Sequence, residues 1–470
     1  MCQTDPPSTA PDVTPAGQDG GPPRRRRPVR VALRAVVADT RPLAHPAFRR
    51  TFLSQGAAVT GLMVTSVTVP VQLYALTHSS LVVGLSGLVG FVPVAAFGLY
   101  GGAVADAVDR RKLYLGSSLL TWFITLALVL QSVLEVRSTA LILALTAVQS
   151  GGFAVSASVR GAIVPRLVPG EQIPAANALV YTAATVGQVL GPLLAGLLIG
   201  LPGGFGLAYG ADAVLFTSAL YAAFRLPSLP RPERAGRAGL RSVAEGLRFL
   251  CRTPVLLMSF FVDIAAMVLA TPEALFPQAA AERFHGGVGP LYAAIAVGAV
   301  AAGLLSGWIG RVRRQGVALT CAVMLWATAV AAAGLTHSLD GAVALLALAG
   351  AADMVSAVYR QTILQTHVPD RMRGRLQGVY TVVVAGGPRL GDLRAGAMAT
   401  ATTFTIAWSA AAVACVAVVL CAALAVRPFW RYDSGADRSS GAGPLVETPG
   451  VPRVGRASEE PAADAGPGGR

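Results

Sequence analysis

The chain alternates long apolar runs with short polar breaks. Twelve apolar stretches succeed one another, at approximate positions 51–76, 81–105, 113–134, 140–164, 177–200, 206–225, 255–280, 288–310, 316–336, 341–366, 376–400 and 404–426. Each is close to the roughly 20 residues that cross a bilayer as a helix. The pattern predicts an all-α membrane protein with twelve transmembrane helices. Residues 1–46 and 431–470 are polar and read as disordered tails. Residues 226–254, rich in Arg and Pro, read as a linker joining two six-helix halves, 47–225 and 255–430, with a short surface helix over 242–252.

An internal repeat supports the two halves. The fourth stretch ends in VRGAIVPRLVPGE from Val159, and YRQTILQTHVPDR begins at Tyr359. Arg160, Ile163, Val168 and Pro169 recur two hundred residues later as Arg360, Ile363, Val368 and Pro369. Identities at one constant offset, at matching helix-to-loop junctions, point to a duplicated six-helix unit.

Composition narrows the picture. The chain is 54% hydrophobic and only 13% charged, against roughly 25% charged in soluble domains. That is too little charge to cover one aqueous surface, and a mean hydropathy of +0.59 fits a polytopic membrane protein. The net charge of +14 comes from 38 basic and 24 acidic residues. If both tails and the even-numbered loops are cytoplasmic, 34 of the 38 basic residues lie inside. Only Arg137 and Arg283 lie outside, and Arg389 and Arg394 fall within the eleventh stretch. This positive-inside bias explains the basic charge without nucleic acid. The Arg24 to Arg27 run reads as a tail beside anionic lipid. Five scattered cysteines give neither a disulfide framework nor metal-ligand spacing, so no metal or cofactor is expected.

The loop after the second stretch reads GGAVADAVDRRK, residues 101–112. Gly102, Asp106, Arg110 and Arg111 match the pattern Gly-x-x-x-Asp-x-x-x-Arg-Arg, and the chain thereby resembles the major facilitator superfamily. Ala107 stands where the family usually has a basic residue. Three segments, AFRRTFLSQ (47–55), VRGAIVPRLVPGEQIPAANAL (159–179) and HVPDRMRGRLQGV (367–379), resemble the enterobactin-exporter-like branch, the transmembrane secretion effectors. The resemblance implies a gating role for the Asp106 loop, docked on the cytoplasmic start of the eleventh helix near Arg375. In the fifth stretch, Gly187, Gly191, Pro192 and Gly196 resemble the superfamily's antiporter motif. Small residues at spacing four also serve ordinary close helix packing. The fourth-helix Arg of many drug/proton antiporters is absent, its nearest alignment being Thr146 ahead of Gln149.

Ionisable residues inside a bilayer are costly and tend to line cavities or pair. The candidates for a substrate or proton site are Asp263 and Glu273 in the seventh stretch, Asp353 and Arg360 on one face of the tenth, and Arg389, Asp392 and Arg394 in the eleventh. Arg389 and Asp392, three apart, can pair along the helix. Two arginines against one aspartate suggest a local +1 suited to an anionic group. The same cluster is open to a purely structural reading. Gly386, Gly387 and Pro388 are expected to loosen or break the eleventh helix. Asp212 reads as a water-exposed cap, and Gln55, Thr65, Gln72, Gln149 and Gln188 as polar positions of the N-terminal half.

The resemblance implies a secondary transporter that exports a small molecule, siderophore-like, drug-like or another metabolite, by alternating access. The sequence has no GxxxxGK[ST] phosphate loop, so ATP does not drive it directly, and the resemblance implies the proton gradient as the driving force. An importer or facilitator, or a non-transporting sensor or scaffold, are the alternatives. A catalytic role is not expected, because the five His are dispersed. The expected partners are a small-molecule substrate and the lipid bilayer, not nucleic acid, and the expected state is a monomer.

Overall fold

In a helix every backbone N–H and C=O except those at the ends is bonded internally, which is what an apolar run needs in lipid. The computed structural model describes residues 39–107, 110–163, 167–225, 248–312, 314–368 and 370–425, which contain no strand. Twelve helices carry them. The first six are α1 (Pro46–Thr77), α2 (Ser80–Ala107), α3 (Arg110–Val133), α4 (Thr139–Ile163), α5 (Ile173–Ile199) and α6 (Gly204–Phe224). The second six are α7 (Pro254–Ala270), α8 (Val288–Leu304), α9 (Gln315–Leu335), α10 (Leu339–His367), α11 (Asp370–Ala401) and α12 (Ala411–Ala425). Residues 248–252 are helical, and Arg41–Ala44, within the tail expected to be disordered, form a short helical turn, while residues 1–38 and 426–470, most of the linker (226–247) and positions 108–109 lie outside the described residues.

Ten helical segments are long and apolar enough to cross a membrane, and α8 is a shorter apolar helix. The twelfth, α11, carries Arg389, Asp392 and Arg394. Large apolar side chains such as Leu197, Leu304 and Leu424 stand exposed on the outside of the bundle. In water such a surface would drive association, whereas in a bilayer it faces lipid.

Within the first half α1 packs on α5 and α6, α2 on α4, and α3 on α4 and α6. Within the second α7 packs on α11 and α12, α8 on α10, and α9 on α10 and α12. The halves meet along two seams, α2 against α11 and α5 against α8. Both seams need glycine. A Cβ on Gly396 would lie 2.2 Å from the Ser80 carbonyl oxygen, and one on Gly196 would lie 2.7 Å from the Gly289 Cα. Each contact joins the start of an even-numbered helix to the end of an odd-numbered one, so it lies at the face opposite the start of α1 and the end of α12. Polar groups close the same face. The Tyr74 hydroxyl donates to Glu282, Ser80 Oγ donates to Gln278 Oε1 at 2.8 Å, and Gln278 Nε2 donates to Glu282 at 3.0 Å.

Two elements differ from the sequence expectation. The stretch 255–280 is not one helix: α7 stops at Ala270, Thr271 is extended, and a short run of helical turns of changing pitch follows from Glu273 to Arg283. Pro272 accounts for the break, because the residue before a proline is pushed out of the helical region. Conversely, α11 runs unbroken through Gly386, Gly387 and Pro388. Neighbours clamp it there: a Cβ on Gly386 would lie 2.6 Å from the Phe91 ring and one on Gly387 2.7 Å from Met267 Sδ. Tight packing on two sides keeps helical a sequence that would fray alone.

Candidate transport cavity

Between the halves, at mid-depth, lie two adjoining cavities of about 370 and 360 Å³ that share Ser66, Pro70, Ser86, Gly87 and Arg389 in their walls. The first is lined from α1, α2, α4 and α11 and contains Thr65, Gln149 and Pro388. The second is lined from α1, α2, α5, α8, α10, α11 and the turn after α7, and contains Glu273, Tyr292, Asp353 and Asp392. Prolines from α1, α5 and α11 (Pro70, Pro192, Pro388) reach the cavity walls. A proline cannot donate to the carbonyl four residues before it, so each leaves that carbonyl without its helical partner.

The break after α7 builds the charged wall. It brings Glu273 to the cavity and exposes the Ala274 N–H, which donates to Asp392 Oδ1 at 3.0 Å. Arg389 pairs with the other oxygen of Asp392 at 3.4 Å, the i, i+3 contact that the sequence suggested. Tyr292 donates to the Glu273 carbonyl at 3.1 Å. Asp353 joins from α10. The described lining therefore carries three carboxylates and one guanidinium.

Arg394 is not part of that lining. Its guanidinium donates to the carbonyls of Ala407 at 3.2 Å and Thr271 at 3.3 Å, bridging the turn before α12 and the end of α7. The local +1 expected from the sequence therefore does not describe the cavity. Asp263 and Arg360 also lie elsewhere. They form a buried ion pair between α7 and α10, with side chains 2% and 4% exposed. Arg360 shares a face with Asp353, but it bonds across to another helix.

The α5 motif divides its work. A Cβ on Gly191 would meet Met63 Cβ at 2.3 Å and the Thr60 carbonyl at 2.9 Å, so this position seats α1. Gly187 seats the same helix, Gly196 seats α8 of the other half, and Pro192 lines the cavity. In the loop motif, Arg111 donates to the Phe224 carbonyl at 3.0 Å, which ties the start of α3 to the end of α6. The surroundings of Gly102 and the side chains of Asp106 and Arg110 lie outside what is described.

Of the other polar positions, Thr65 and Gln149 line the first cavity and Gln188 the second, whereas Gln55 is buried with Oε1 unpartnered. Asp212 overturns its expectation. It is 1% exposed, not a water-exposed cap, and accepts from Thr65 Oγ1 at 2.6 Å and Gln149 Nε2 at 3.3 Å. The sequence reading placed it by its distance from the helix end and had no means of seeing which way α6 faces.

The profile of the transmembrane secretion effectors matches residues 37–455. The chain belongs to this family, a branch of the major facilitator superfamily. Two curated relatives are the enterobactin exporters EntS of Shigella boydii serotype 4, 31% identical, and of Escherichia coli O9:H4, 30% identical. Each alignment covers 75% of this chain and 85% of the relative. Among solved structures, a bacterial homologue of the human lysosomal transporter Spinster, inward-facing and unoccupied, matches with a TM-score of 0.63 at 18% identity. That match covers 83% of this chain and 97% of the other. As a family member with this fold, the protein is a multi-pass membrane transporter.

Proposed function

We propose that this secretion effector exports a small organic molecule bearing a cationic group, through the central cavity, by alternating access driven by protons. The carrying observation is the cavity's charge. Glu273, Asp353 and Asp392 face it with Arg389 as the one guanidinium in the described lining. Buried like charges repel unless a cation or proton joins them, so an ammonium group and a proton can compete for the same wall. The direction of transport follows the relatives, which are named exporters of enterobactin. The charge class follows the cavity. Closure at the face away from the chain termini, taken with cytoplasmic termini, corresponds to an inward-facing state. The Asp106 loop is then the inner gate, and Asp106→Asn should slow turnover while binding is retained.

Tetraphenylphosphonium and tetraphenylborate have the same shape and opposite charge. The cation should quench tryptophan fluorescence of the purified protein, and the anion should not. Glu273→Gln combined with Asp353→Asn should weaken the cation by more than about tenfold, the equivalent of about 1.4 kcal/mol. Equal affinity for the two ions would refute the charge class. Comparing culture supernatants of deletion and wild-type strains then identifies the exported compound, and no difference between them would count against export.

A further inference from the structure

Among the described residues Asp212 on α6 is the one strongly buried carboxylate of the N-terminal half, and it lines neither central cavity. Its Oδ2 accepts from Thr65 and Gln149, and Gln149 Nε2 also donates to Thr125 Oγ1 at 2.8 Å. Its Oδ1 has no hydrogen-bond partner. Thr65 and Gln149 both line the first central cavity. One turn earlier on the same face of α6, the Tyr209 hydroxyl donates to Gln72 Oε1 at 2.7 Å. Gln72 exchanges amide bonds with Gln131 at 3.2 and 3.4 Å. Both glutamines line a third pocket, of about 800 Å³, rimmed by Glu135 and Arg137 at the face away from the chain termini. Two hydrogen-bonded polar groups thus lie between that pocket and the central cavity, one around Gln72 and one around Asp212, the one buried carboxylate of the two among the described residues.

No described cation faces Asp212. On its own helix the titratable neighbour is Tyr209. Thr65 and Gln72 approach from α1, Thr125 and Gln131 from α3, and Gln149 from α4. The Tyr74 hydroxyl on α1 is bonded to Glu282. Arg111 on α3 binds the end of α6 at Phe224, about 18 Å along the helix from Asp212. An ionised carboxylate in such a place lacks a counter-charge. Two donors on Oδ2 support the ionised form, and the empty Oδ1 is where a proton goes.

We propose that Asp212 is a proton-binding site. Water entering from the far pocket past Gln72, Gln131 and Tyr209 supplies the proton to Oδ1, and water in the central cavity receives it past Thr65 and Gln149. The inference rests on the proton-driven reading above and adds the place where the proton is held.

The test is infrared difference spectroscopy of the full chain in liposomes with carbon-13-labelled aspartate, which needs no substrate. A labelled protonated-carboxyl band should appear on acidification, shift in deuterium oxide, and vanish in Asp212→Asn. Tyr209→Phe should keep the band and slow its deuterium exchange severalfold. Thr65→Val, which removes a donor from Oδ2, should shift the band's frequency, and this variant serves if Asp212→Asn does not fold. A band that survives Asp212→Asn, ignores pH, or stays put in Thr65→Val overturns the proposal. Tetraphenylphosphonium binding should be equal in wild type and Asp212→Asn. Failure of the probe to bind either protein sinks the substrate reading and leaves the infrared result intact.

Discussion

Arg394 holds two carbonyls, one from the turn before α12 and one from the end of α7. Only a forked guanidinium spans both, since a lysine ammonium is a point donor. Arg394→Lys should therefore lower thermal stability in detergent by about 1–3 kcal/mol, the cost of an unpaired buried polar group. Binding of tetraphenylphosphonium should not change, because Arg394 lies off the cavity wall. Asp392 is the opposite case. It receives the Ala274 N–H and Arg389 at once. Asp392→Ala should cost both stability and probe affinity, read as a lower unfolding temperature together with weaker quenching.

At the scale of elements, helix contacts depend on where side chains are missing. A methyl at Gly191 has no room against α1, whereas one at Gly116 of α3 meets nothing within 4 Å. Gly191→Ala should destabilise by about 1–3 kcal/mol through overpacking. Gly116→Ala should stabilise by up to about 1 kcal/mol through helix propensity. Paired unfolding temperatures check both, and a loss at Gly116 as large as at Gly191 would contradict the packing argument. The break after α7 is the other decisive element. Its irregular backbone is tolerated at membrane depth because it lines a cavity and bonds to Asp392.

At the scale of the molecule, one face is sealed by glycine seams and by the Tyr74, Ser80, Gln278 and Glu282 network. In a cysteine-free background, Ser80→Cys with Gln278→Cys should cross-link across this face. Oxidation should stop tetraphenylphosphonium export and reductant should restore it. Continued export after complete cross-linking would show that the face need not open. The orientation has its own check. A thiol at Ser79 should label from outside, and one at Ser434 only after permeabilisation.

Length, hydropathy and the placement of arginines are properties along a line. They carried the twelve spans, the two halves, the Arg389–Asp392 pair and the small-residue surface of α5. The Thr271–Pro272 step was equally visible and marked the break in α7, but the apolar run around it hid the signal. The composition of the cavity wall was not visible. Which charges share a space depends on the rotation of each helix and on partners far away in the chain. Tertiary packing turned Arg394 to backbone carbonyls and paired Arg360 with Asp263. It brought Glu273 and Asp353 to the same wall as Asp392, and buried Asp212 between Thr65 and Gln149. The sequence established a membrane transporter of this family; the relative rotation of its helices decided which charges share the cavity wall.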